Sequence, residues 1–376
     1  MVGVGEKGYP KNMINPKAKL SEKIFTKDIE MIPTRQGYGE GLVEAGEKDE
    51  RVVVLCADLT ESTRSNLFKE KFPKRFIEVG VAEQALATLA SGMANYGKIP
   101  FISSYAAFSP GRNWEQIRTT IALNNVPVKI AGAHAGLTVG PDGATHQMLE
   151  DIALMRAMPN MVVIAPADAI ETKKAVLALI DPSAGSGLAS KPAYIRFARE
   201  ITPVITSEKT PFKIGRAEIL WDSIKPDTEH SPSQRLSRAG GQSTNQPITN
   251  GVAIVACGPL VYEALLAAKK LSEGRNKIGC IVINCHTIKP LDEETIIAAA
   301  KKTGCVVTVE EHQITGGLGG AVAETLSRNY PVPIEYVGMP DSFGESGEPN
   351  ELLEKYGMKS KHIVAAIRKV ISRKKS

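Results

Sequence analysis

At 376 residues, with 43% hydrophobic and 23% charged content, the chain is long enough for two domains with separate cores and has the composition of a soluble globular protein. No apolar run approaches the roughly 20 residues needed to span a bilayer, and the first residues lack the apolar stretch of a secretory leader, so a membrane role has no support and a cytoplasmic location is expected. Much of the net charge of +5 sits in the Lys-rich beginning and around Arg368–Lys375, which reads as solvated ends and not as a nucleic-acid surface; the five cysteines form no C-x-x-C pair and read as reduced, buried thiols.

In chain order, residues 1–25 hold few apolar anchors and are expected to form an arm lying on a partner or on a domain surface. Residues 26–222 alternate β-rich runs (Val52–Leu55, Phe76–Val79, Ile99–Ser103, Val126–Ala131, Met161–Ile164, Ala193–Phe197) with helical patterns, which predicts an α/β domain built on a parallel sheet. Residues 223–250 are rich in Ser, Pro, Gly, Gln and Asn and predict a linker. Residues 251–376 repeat the alternation at Val252–Ala256, Ile278–Asn284, Val306–Glu310 and Ile334–Val337, giving a second parallel-sheet α/β domain.

Three stretches carry polar residues where chemistry is done. In RFIEVGVAEQALATLASGMANYG a strand turns through Gly80 into a helix with apolar positions Leu86, Leu89, Ala90 and Met93, which puts Glu83 in the first turn at a strand's C-terminal end, the ligand edge of open α/β sheets. On the helix alone, Glu83 reads as an acid that complements the helix dipole. Tyr105 and Phe108 close the next strand; two aromatics there are by themselves ordinary core. The Gly-rich stretch AHAGLTVGPDGATHQMLEDIALMRAMPN gathers His134, Asp142 and His146 on one strand-to-helix connection, with Thr145 placed to cap a helix that carries Met148, Ile152 and Met155. Two histidines and an aspartate at this spacing match no zinc signature, and no metal ligand is assigned in the chain.

These motifs resemble the transketolase family. Gly80-Val81-Ala82-Glu83-Gln84 matches its G-[IV]-[AR]-E-[QH], and Asp142-Gly143-Ala144-Thr145-His146-Gln147 matches D-G-[PA]-T-H-Q in full. The resemblance implies a pyrimidine-binding domain followed by the transketolase C-terminal domain, with thiamine diphosphate as cofactor. It makes Glu83 the carboxyl that hydrogen-bonds the aminopyrimidine ring nitrogen and favours the imino tautomer, whose nitrogen takes the thiazolium proton. Such a carboxyl is expected to be protonated or to share its proton. Phe108 is implied to stack on the pyrimidine with Tyr105 beside it, and Asp58 to lie near the cofactor.

The same match implies that Asp142 and His146 hydrogen-bond the donor sugar, and that His134, Arg35, Ser62 and Arg199 surround its phosphate, where arginine's planar fork suits an oxyanion. Residues 109–112 depart from the family pattern by one residue, and Arg112 is left unassigned. The diphosphate-binding domain, with its metal-holding G-D-G segment, has no counterpart, and the string occurs nowhere in the sequence. A partner subunit bearing that domain and most of the Mg or Ca site is therefore expected, in a two-fold assembly that includes a second copy of this chain. The Gly316–Gly320 run reads as structural. Ketol transfer from xylulose 5-phosphate to ribose 5-phosphate is the expected activity; a 1-deoxyxylulose-5-phosphate synthase-like enzyme and a non-catalytic scaffold are the alternatives.

Overall fold

The computed structural model describes residues 13–183, 187–224, 250–274 and 277–374; the expected linker lies almost wholly outside them, as do the first twelve residues of the expected arm. The strands are β1 (Met31–Pro33), β2 (Val52–Cys56), β3 (Phe76–Glu78), β4 (Ile99–Tyr105), β5 (Lys129–Ala133), β6 (Val162–Ile164), β7 (Ala193–Phe197), β8 (Ile201–Pro203), β9 (Glu218–Asp222), β10 (Gly251–Ala256), β11 (Gly279–Asn284), β12 (Thr287–Lys289), β13 (Val306–Gln313) and β14 (Ile334–Met339). A seven-stranded sheet runs β12-β6-β7-β5-β4-β2-β3 and a five-stranded sheet β14-β13-β10-β11-β9. Both are parallel apart from one strand each, β12 against β6 and β9 against β11.

The sheets are covered on both faces, which is why their central strands are uniformly apolar. Along β2, Val52 and Val54 face the helices Thr34–Lys48 and Ala169–Ala178 through Tyr38, Leu42, Ala175 and Val176, whereas Val53 and Leu55 face helix Glu83–Asn95 through Leu86, Ala87 and Ala90. That second face is continuous with the other sheet, since Ala253 and Val255 of β10 and Ile281 and Ile283 of β11 join the same cluster. Each fully buried Val, Leu or Ile contributes roughly 1.5–3 kcal/mol, so the domains are joined by core and not merely by a tether.

Two strands cross the boundary expected between the domains. Residues 218–222, counted with the first domain by sequence, pair with β11 in the second sheet, and β12 returns to extend the first. The described part of the arm covers the second sheet's edge: Asn15 N–H donates to Leu220 O at 3.0 Å, and Phe25 packs edge-on against the fully buried Trp221, with ring centroids 6.0 Å apart. In helix Glu83–Asn95, Leu86 and Ala90 are buried as expected, but Leu89 faces outward.

Candidate active site

Because β2, β3, β4, β5 and β7 are parallel neighbours in one sheet, their C-terminal ends open on one edge, where open α/β sheets bind ligands. Asp58 and Ser62 follow β2, Glu83 follows β3, Tyr105 ends β4 and Phe108 lies in the turn after it, His134 to His146 follow β5, and Arg199 follows β7. Arg35 reaches the same edge through the antiparallel pair of β1 with β8, locked by Thr34, whose hydroxyl donates to Ala198 O at 3.1 Å and accepts from Ala198 N–H at 2.8 Å.

The Glu83 side chain is 2% exposed at the helix start. Its Oε2 accepts from Arg112 Nη1 at 2.8 Å, while Oε1 has only the Ser104 hydroxyl, at 3.5 Å. Asn113 Nδ2 donates to the Glu83 carbonyl at 2.8 Å and fixes the turn. Arg112 thus holds one oxygen of the Glu83 carboxyl from within the protein. Arg112 also lies over Phe108, 4.7 Å from the ring centroid. The irregular segment 109–112 hid this residue from the sequence, since its register against the family motif is broken.

Tyr105 and Phe108 present parallel rings, 2° between planes and 6.1 Å between centroids. His146 meets both edge-on, at 5.9 and 5.4 Å, and His134 meets Tyr105 at 4.3 Å. The Tyr105 and Ser62 hydroxyls are 2.9 Å apart, and Arg35 Nη1 donates to Ser62 O at 3.0 Å. Arg199 Nη1 donates to Asp142 Oδ2 at 3.0 Å. Asp58 is exposed at the mouth, in a left-handed turn pinned by Glu78, which accepts its N–H at 2.7 Å and the Thr60 hydroxyl at 2.7 Å.

His134 is fully buried, and among the described residues its ring has no well-formed hydrogen bond, only a weak one to the Ser62 backbone. Burial, reinforced by Arg35 and Arg199, pushes its pKa down to about 3. Arg35 is likewise lowered, by burial first, then by Arg64 and Arg199, and its Nε is buried without a partner. Arg64, unremarked in the sequence, thus adds a third arginine to this end of the site. Unpaired buried polar atoms beside like charges are costly, and an oxyanion would relieve both costs.

Thr145 does not cap a helix. The helix begins at Asp151, behind Glu150, and the Thr145 hydroxyl instead lies 2.9 Å from His146 Nδ1. The glycine run 316–320 does turn into a helix, Leu318–Asn329, whose N-terminus is filled from within: Glu310 accepts the Leu318 and Gly319 N–H groups at 2.6 and 2.8 Å. A Cβ on Gly317 would fall 2.1 Å from the Glu310 carboxylate, so glycine is required there by close approach.

Residues 30–203 match the family described as the transketolase pyrimidine binding domain, and residues 243–363 match the transketolase C-terminal domain. The chain belongs to the transketolase family. It is 42% identical over 336 residues to a Methanocaldococcus jannaschii protein named as a transketolase C-terminal section, covering 89% of this chain and 94% of that one. It is 39% identical over 340 residues to a 6-deoxy-6-sulfo-D-fructose transketolase subunit of a Clostridium species, covering 90% and 95%. Among solved structures it resembles one described as a split gene transketolase, inactive beta4 tetramer, with 41% identity, a TM-score of 0.76, and coverage of 91% of this chain and 99% of that one.

Proposed function

We propose that this chain is one subunit of a split transketolase that transfers a two-carbon ketol unit between sugar phosphates, of the xylulose 5-phosphate to ribose 5-phosphate type. In this reading thiamine diphosphate lies between it and a partner subunit carrying the diphosphate-binding domain and most of the Mg or Ca site. The observation that carries the reading is the convergence of a buried glutamate, two parallel aromatic rings and an arginine-lined histidine on one sheet edge.

The residues fit an aminopyrimidine. Glu83 Oε1, with a single long contact to Ser104, has capacity for a ring nitrogen, and the Tyr105 and Phe108 faces suit a flat heteroaromatic. When bound, the cofactor would supply a nucleophilic carbon and, in its thiazolium ring, an electron sink for the two-carbon unit. Glu83 exchanges a proton with the pyrimidine nitrogen and so governs when that carbon loses its proton. His146 and Asp142 orient the sugar by hydrogen bonds to its carbonyl and hydroxyl oxygens, and Asp58 borders the cofactor at the mouth. Arg35, Ser62, His134 and Arg199 hold the anionic end, and that anchoring aligns the reacting carbonyl.

The need for a partner is supported by large apolar side chains exposed on the domain that holds Glu83: Val81, Leu89, Tyr96 and Leu123 are 71%, 50%, 92% and 75% exposed, and Leu89 and Tyr96 line one shallow hollow, as association surfaces do. The test is ketol transfer from xylulose 5-phosphate to ribose 5-phosphate with thiamine diphosphate and magnesium, by the chain alone and with a subunit bearing the diphosphate-binding domain. Activity only in the mixture is expected; activity of the chain alone would overturn the split arrangement. The Clostridium relative's name makes a sulfonated ketose the second donor to try, because a sulfonate is also a tetrahedral oxyanion.

A further inference from the structure

The substrate loop does not stand on the first domain alone. His134 lies at its start and Asp142 and His146 near its end, and midway between His134 and Asp142 the Thr138 N–H donates to Oε1 of Glu311, at 2.5 Å. Glu311 belongs to β13 of the second domain and is 2% exposed. Its carbonyl accepts from Arg196 Nη2 at 2.7 Å, and Arg196 Nε donates to Asp151 Oδ2 at 2.8 Å, so the glutamate is braced from the first domain's own β7. The loop passes very close to the carboxylate: a Cβ on Gly136, which sits at φ +95°, would fall 2.5 Å from Oε1. Further along, Gln147 Nε2 donates to Leu137 O at 3.1 Å and to Glu345 O at 2.8 Å, tying both ends of the loop to the segment before helix Pro349–Lys355.

We propose that Glu311 is a positioning residue for the sugar- and anion-binding loop, through which the second domain sets the placement of His134, Asp142 and His146. This rests on the proposed function for its kinetic consequence but not for its structural one. A carboxylate buried only to hold two domains together would need no acceptor aimed at a loop N–H, since buried ion pairs can be replaced by apolar packing without loss of stability. Here the loop supplies the donor, and the strain-tolerant glycine stands where the carboxylate passes.

The test compares Glu311→Ala, Glu311→Gln and a control, Glu310→Gln, in the full chain. Glu310 is an adjacent buried carboxylate that caps helix Leu318–Asn329 and does not touch the loop. With inorganic phosphate as probe, Glu311→Ala is expected to weaken binding about tenfold and to raise amide exchange in residues 137–147. Glu311→Gln, whose amide oxygen can still accept from Thr138, should stay within about threefold of wild type, and Glu310→Gln should instead raise exchange in 318–329 with phosphate binding unchanged. In the reconstituted complex the donor KM should rise about tenfold in Glu311→Ala while the KM for thiamine diphosphate moves less than about twofold, because Glu83, Tyr105 and Phe108 lie off the loop. Unchanged exchange in 137–147, or a loss of phosphate binding equal in Glu310→Gln and Glu311→Ala, would overturn the proposal. A wild-type complex without ketol transfer would count against the reaction alone, and the exchange and phosphate results would still decide the role of Glu311.

Discussion

Arg112 joins the two residues assigned to the pyrimidine: its Nη1 donates to Glu83 Oε2 at 2.8 Å while its guanidinium carbon lies 4.7 Å from the Phe108 ring centroid. One carboxyl oxygen is thereby held by Arg112, and the other has one long contact, with the Ser104 hydroxyl at 3.5 Å. Replacing Glu83 by Gln preserves the volume but removes the group that can give and take a proton. In the reconstituted complex, Glu83→Gln is expected to lower ketol transfer by about 10²–10⁴-fold, the usual worth of a positioned acid–base group, with assembly unchanged by light scattering. A variant retaining more than a tenth of wild-type activity would sink the assigned role.

His134 makes the fold sensitive to acid. Its folded pKa of about 3 lies below its ordinary 6.5, through burial and then Arg35 and Arg199. The unfolded chain therefore takes up this proton first as pH falls, so the stability contribution is complete above pH 6.5 and is lost progressively from 6.5 toward 3. His134→Asn, chosen because Asn tolerates the left-handed backbone seen here, removes the titration. Between pH 7 and 5 the wild-type urea midpoint should fall further than the variant's. Equal falls would mean that His134 is already solvated or charged in the folded chain.

Ten of the fourteen strands among the described residues were legible because the parallel strands are buried on both faces and announce themselves as apolar runs, as in Val52–Cys56 and Gly251–Ala256. The four that were missed, β1, β8, β9 and β12, are those that pair only antiparallel. They are short, and what makes Met31–Pro33 or Thr287–Lys289 a strand is a neighbour distant in sequence. Glu83 and the residues 142–147 were legible because a motif fixes their spacing. Arg112 and Glu311 were not: one follows an irregular turn, and the other acts across a domain boundary that no local pattern records.

Glu171 titrates in the opposite sense to His134. Burial first, and then Asp168, raise its carboxyl to about 8. Its oxygens accept the Ala167 N–H at 2.6 Å and, from the second domain, Asn284 Nδ2 at 2.7 Å. The folded chain keeps this proton where the unfolded chain has released it, so the contribution is full below about pH 4.5 and is lost as pH rises toward 8. Glu171→Gln imitates the protonated form. Its melting temperature should decline less than wild type between pH 5 and 8, whereas a steeper decline in the variant would show that the charged carboxylate is the form the fold prefers.

The outward-facing Leu89 gives the partner proposal its sharpest test. It sits on the helix that begins with Glu83, Tyr96 follows the far end of that helix, and the two line one apolar hollow, 50% and 92% exposed respectively. Neither side chain supports the core of its own chain, so Leu89→Lys and Tyr96→Lys should each change the chain's stability by no more than about 0.5 kcal/mol, as for other exposed positions. If a second subunit closes over this surface, a buried unpaired ammonium would be strongly unfavourable there. The double variant is then expected to fold normally, to fail to assemble with a subunit bearing the diphosphate-binding domain in light scattering, and to lose ketol transfer in the mixture. Full assembly and activity would place the partner on another face and leave Leu89 and Tyr96 without a role in assembly.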